Sequence, residues 1–115
     1  MLNYATKLLG PCAALLLSTP ALAQANTFST LAVEANILIQ SYEEKAVLCQ
    51  DVVREGGMSH EYCQQMVELG TPAANALGKV KDAAKSNDDE IVVEILRLRL
   101  VAAEDAEAEV WVIVN

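Results

Sequence analysis

The chain is short of nearly everything that marks a catalytic or nucleic-acid-binding site. It has one histidine, one tryptophan, one phenylalanine and three cysteines in 115 residues. A single histidine excludes the HExxH zinc motif, which needs two on one helix face. No CxxC pair occurs, so both the paired thiols of a redox motif and the CxxCH attachment of a c-type haem are missing. There is no phosphate-cradling glycine loop, no dinucleotide fingerprint and no nucleophile elbow. Basic residues are scarce as well: 8 Lys and Arg stand against 16 Asp and Glu, a formal net charge of −8. Binding to nucleic acid needs cations at the phosphates, and an anionic membrane surface repels such a chain. The same imbalance attracts basic partners, although solubility alone accounts for it equally well.

What is present begins with an export pattern. Residues 1–7 carry Lys7 and no acid, an apolar run follows from Leu8 to Leu17 broken only by Gly10-Pro11, and Ser18-Thr19-Pro20 leads into Ala21-Leu22-Ala23. A charged start, a short apolar run and a small-x-small site form the three parts of a secretory signal peptide. The run is too short for a bilayer, which takes roughly 20 apolar residues. The alternatives are an uncleaved anchor and a buried core helix. Cleavage is expected after Ala23, leaving Gln24, or at the second small-x-small site after Ala25, leaving Asn26. Pro11 precedes Cys12 and the apolar run continues past it, which argues against a lipoprotein anchor, and no twin-arginine pair appears. The expected organisation is a signal peptide over 1–23 and a single small domain over 24–115. That domain has 92 residues and, having lost Lys7, a net charge of −9. It is expected in the periplasm or secreted, and not membrane-spanning after cleavage.

Apolar spacing at 100° per residue predicts a mostly α fold, a small bundle of about four helices. The first runs over 29–54 with Leu31, Ala35, Leu38, Tyr42, Ala46, Cys49 and Val53 on one stripe, and Gly56-Gly57 ends it. Ser59 is the expected N-cap of a short helix over 60–69, closed by Gly70. Thr71-Pro72 then reads as a cap followed by proline at the first position of a third helix, reaching about Lys85. Acids over 88–90 open the last helix, as a helix N-terminus favours. Its expected buried stripe is Ile91, Ile95, Leu98, Ala102 and Ala106, within a wide apolar arc. Leu96-Arg97-Leu98-Arg99-Leu100 alternates like a strand, and Val110-Trp111-Val112-Ile113-Val114 is also strand-like. Ala102 to Glu109 forms helix too readily to be a turn between them. The expectation is therefore a helix to about Ala108, where Glu109 would interrupt the stripe, followed by an extended or β tail.

Few side chains are candidates for chemistry. After cleavage the cysteines are Cys49 and Cys63, one on each apolar stripe flanking the double glycine. In an oxidising compartment they read as a disulfide stapling a helical hairpin. A reactive thiol would want a CxxC or a His-paired, electropositive setting. His60, Glu61 and Cys63 briefly resemble a metal cluster, but His60 lies on the polar face and tetrahedral zinc needs convergent ligands. Met58 or Met66 beside His60 would be the remaining haem ligands, with the same objection. Residues 87–90 lack the spacing of a calcium loop. Glu104, Asp105, Glu107 and Glu109 read as a solvated face. Nothing calls for a cofactor or a metal. Trp111, with Val112 and Ile113, either docks the tail onto the bundle or forms a partner-binding element. The resulting expectation is a non-enzymatic exported protein that binds a partner protein, a basic one by charge. An immunity or inhibitor-like role and an envelope accessory role are its concrete versions. A small-ligand or metal carrier is the alternative.

Overall fold

A computed structural model describes the backbone over residues 20–115 and side chains from Thr27 onward. The expected signal peptide falls mostly on 1–19, outside the described residues. Three α-helices follow in order: α1 (Pro20–Gly56), α2 (Glu61–Ala83) and α3 (Asn87–Val114), with a 3₁₀ turn, Gly57–Ser59, between the first two. Both expected cleavage points, Ala23 and Ala25, lie within the range of α1.

α1 turns its stripe inward much as the spacing predicts. Ala35, Ile39, Tyr42, Ala46, Cys49 and Val53 are buried, at steps of four and three residues. Phe28 joins them one heptad earlier, and Leu31 and Leu38 are half-buried at the edge. Such 3–4 spacing suits side-by-side helices packed knobs into holes. Gly57 adopts φ +68°, the left-handed conformation that lets the chain reverse.

The next helix differs from expectation. There is no break at Gly70, and 60–69 and 72–85 are one helix with Pro72 inside it. Proline there removes one backbone donor, leaving the carbonyl of Glu68 without its helical partner. The helix persists because its inward row crosses the proline in phase: buried Cys63, Met66, Ala73, Leu77 and Val80, with half-buried Gly70 between, recur at three and four. Gly70 is a packing position, and a Cβ there would lie 3.5 Å from the Tyr42 hydroxyl on α1. Ser59 is not the N-cap either. Its hydroxyl donates to the Gly56 carbonyl, and the His60 Nδ1 accepts from the Tyr62 amide at 3.1 Å.

α3 begins as expected. Ser86 caps it by accepting from the Asp89 amide at 3.1 Å, and the Asp89 carboxylate accepts from the Lys85 amide at 2.9 Å. The pair resembles a capping box, with the return bond reaching the residue before the cap rather than Ser86 itself. Two expectations then fail. The helix runs through Val114, and no strand occurs among the described residues. The buried row is Val93, Leu96, Leu100, Ala103 and Val110, rather than the row starting at Ile91. Glu109 therefore does not interrupt the core. It points outward, and nothing stops the helix at 108.

α2 runs down α1 and α3 runs back up beside it, so that Arg99 reaches Asn36, and Glu107 reaches Tyr42. α1 packs on both neighbours, which touch each other far less. The Cα extents are 56 × 34 × 15 Å, the longest matching the 37 residues of α1 at 1.5 Å each. The radius of gyration is 18.7 Å, against roughly 13 Å for a compact domain of this length. An elongated three-helix arrangement leaves much apolar surface uncovered. No helix among the described residues is long and apolar enough to cross a membrane.

Candidate functional site

The most strongly built feature is the staple. Cys49 and Cys63 are disulfide-bonded across the α1–α2 reversal, with Cα atoms 4.8 Å apart and both residues fully buried. Burial keeps reductants away from the sulfurs, and neither cysteine is free to act as a nucleophile or ligand. Close by, Lys45 lies 5.4 Å from the centre of the Tyr62 ring, which is tilted 39° against the ring of His60 with 4.9 Å between the centroids. His60 thus serves the start of α2 with its Nδ1. No group of three or more His, Cys, Asp or Glu side chains suited to a metal occurs among the described residues.

On the α1–α3 seam, in the same half of the bundle as the staple, a carboxylate does structural work. Glu107 accepts from the Tyr42 hydroxyl at 2.5 Å and, through its other oxygen, from the Trp111 indole N–H at 2.9 Å. Glu107 is therefore half-buried and doubly bonded, not part of a solvated face like Glu104, Asp105 and Glu109. Burial, the bond to Glu107, and the charges of Glu107 and Glu104 push the Tyr42 phenol well above its usual range. Gln50 adds a bond of 2.9 Å to the Ala106 carbonyl. Trp111 sits on the last turns of α3 at 40% exposure, Val112 at 69%, and Ile113 is half-buried against the core. The three do not share a surface: Val112 faces out, Ile113 packs inward, and Trp111 is tied to Glu107.

The feature that the sequence did not single out as exposed is the outer face of α3. Ile91 is 59% exposed, Ile95 50% and Leu98 55%, with Ala102 exposed beyond them. These are four of the residues expected in the core. Two 3–4 rows run along this helix, and α1 and α2 cover only one of them. Beside the outer row, Arg97 binds Glu94 at 2.6 Å and Arg99 donates to Asn36 at 3.3 Å. The Arg97 bond holds the Glu94 carboxyl below its usual range.

A shallow groove of about 340 Å³ lies between α1 and α2. Leu31, Leu38, Pro72 and Ala76 contribute apolar lining, and Glu34, Asn75 and Lys79 its polar groups. Comparison with known protein families, curated proteins and solved structures found no match for this chain.

Proposed function

We propose that this is an exported, non-enzymatic protein that binds another protein in the periplasm or outside the cell. An immunity or inhibitor-like role and an envelope accessory role are its concrete forms. Export rests on the three-part N-terminal pattern, and cleavage at Ala23 or Ala25 would shorten α1 while leaving its buried row from Phe28 onward complete. The observation that carries the binding reading is the row Ile91, Ile95 and Leu98, each at least half exposed on consecutive turns of a capped helix. Single exposed apolar residues are ordinary; a contiguous apolar strip rimmed by charge is how interaction surfaces look. A staple that fixes the α1–α2 hairpin provides a rigid support for such a surface.

The test is affinity capture from envelope extract with the wild-type domain and with Ile95→Asp/Leu98→Asp, quantified side by side. A protein retained by the wild type and lost from the variant is expected. Identical captured sets would refute the reading. A second reading, a small-ligand carrier, draws on the α1–α2 groove, whose size lies near the lower end of ligand pockets. Co-purification of an organic molecule lost on Ala76→Trp would favour it.

A further inference from the structure

We infer that the outer face of α3 receives a cationic amphipathic helix from its partner, an inference that rests on the protein-binding reading above. Along that face Asp88, Ile91, Ile95, Leu98, Ala102 and Asp105 follow one another at steps of three and four, and all six are exposed. The same spacing continues to Glu109 and Val112, also exposed. A row of period 3.5 is the seam along which a second helix packs. The buried row of the same helix, Val93 to Val110, has the same period and is covered by the bundle in this manner. α3 is therefore built with two seams, and none of the described residues fills the second.

The charges along the open seam select its occupant. Its apolar centre is closed at both ends by acids, Asp88 on one side and Asp105 and Glu109 on the other. From Asp88 to Asp105 is 17 residues, about 25 Å of helix. α3 as a whole carries eight acidic side chains against Arg97 and Arg99, both already engaged. A second copy of the chain fits badly. Antiparallel pairing of Ile95 with Leu98 sets Asp88 opposite Asp105, and parallel pairing sets each acid opposite itself. Like charges facing each other across a helix pair destabilise it. A helix with aliphatic residues at the centre of its own 3–4 row and Lys or Arg about 25 Å apart at the two ends meets every position with a complement. A lipid surface is disfavoured because Asp88 and Asp105 lie within the row itself and would have to enter the headgroup layer.

The probe is a synthetic amphipathic peptide with leucines in the central 3–4 row and lysines at the flanking row positions, and its twin with glutamates for the lysines. Each is titrated by fluorescence anisotropy into the oxidised protein at low and raised salt. Saturable binding of the lysine peptide alone is expected, weakening with salt. Ile95→Asp/Leu98→Asp should weaken it by more than about tenfold, since two apolar contacts are lost. That variant is more acidic, so mere charge attraction would strengthen it instead. Asp88→Asn/Asp105→Asn should reduce both affinity and salt dependence. All these positions are exposed, and unchanged circular dichroism confirms the fold. The inference is overturned if the glutamate peptide binds as well, or if the double Asp variant binds the lysine peptide undiminished. It is overturned too if the free protein sediments as a dimer that Leu98→Asp dissociates, or if neutral lipid vesicles bind with the same sensitivity. If neither peptide binds while envelope capture still depends on Ile95 and Leu98, the cationic-helix inference fails and the protein-binding reading stands.

Discussion

Replacing Gly70 by alanine should stabilise the protein, and the sign of that effect tests whether α2 is one helix. Gly70 lies in the interior of α2 and has no positive φ; among the described glycines only Gly57 does. In a helix interior, Gly→Ala gains up to about 1 kcal/mol. The new methyl would sit 3.5 Å from the Tyr42 hydroxyl and 3.6 Å from its ring carbon, ordinary contact without a clash. Had the chain instead ended a helix at Gly70 in the left-handed conformation, alanine would lose about 1–2 kcal/mol. Gly78→Ala is the internal control. It is helical under either view, and a Cβ there meets nothing within 4 Å. The two positions are about 12 Å apart along the helix, far enough for their effects to add. Each substitution should raise Tm by up to about 4–8 °C, and the double variant by about the sum, in thermal unfolding followed by circular dichroism. A higher Tm for Gly78→Ala with a lower one for Gly70→Ala would refute continuity through Pro72.

Cys49→Ala/Cys63→Ala should lose about 3 kcal/mol, the chain-entropy value for a closed loop of this length, read as a fall in denaturation midpoint; intact-mass measurement with and without alkylation should find no free thiol in the wild type. Tyr42 gives a pH signature: the unfolded phenol ionises near pH 10 and the folded one only above that. Unfolding therefore releases a proton in that window, so stability should fall as pH rises past 10 and stay unaffected by this group below it. Tyr42→Phe should flatten this limb in denaturation curves taken across that range. Glu107→Ala removes the acceptor of both Tyr42 and Trp111 and should lose about 1–3 kcal/mol, with a red shift of Trp111 emission. Glu107→Gln, which keeps an oxygen for Tyr42, should lose less.

The sequence was most legible where only one apolar row exists. In α1 the polar residues between Gln40 and Asp51 leave little choice, and Tyr42, Ala46, Cys49 and Val53 face the core as their spacing predicts. The double glycine and the cysteines flanking it foretold the hairpin and its staple because each is local chemistry. In α2 the local stop-and-start signal at Gly70-Thr71-Pro72 is strong, and the continuous helix overrides it. The contrary sign was longer in range: Cys63, Met66, Ala73, Leu77 and Val80 keep one phase across the proline, which two independently started helices would have no reason to do. Glu107 has the spacing of a solvated residue, because spacing alone cannot tell which acid of a cluster meets a hydroxyl from another helix.

α3 shows a different kind of illegibility, and it bears on function. Both of its rows are aliphatic over the same turns, and both have the 3.5-residue period. Turn by turn, Ile91, Ile95, Leu98 and Ala102 are as bulky as Val93, Leu96, Leu100 and Ala103. Hydrophobicity could not choose between them, since the physics of burial is the same on either face. What separates the rows is at their ends. The buried row runs on through Glu107 to Val110, and its one charge is answered by Tyr42 and Trp111. The outer row is closed by Asp88, Asp105 and Glu109, and no described side chain bonds to Asp88, Asp105 or Glu109. A single small domain needs one apolar face per helix to fold. The second face, with its acids facing solvent, is not needed for that, and it is the face that the proposed partner helix would cover with charges answering those acids.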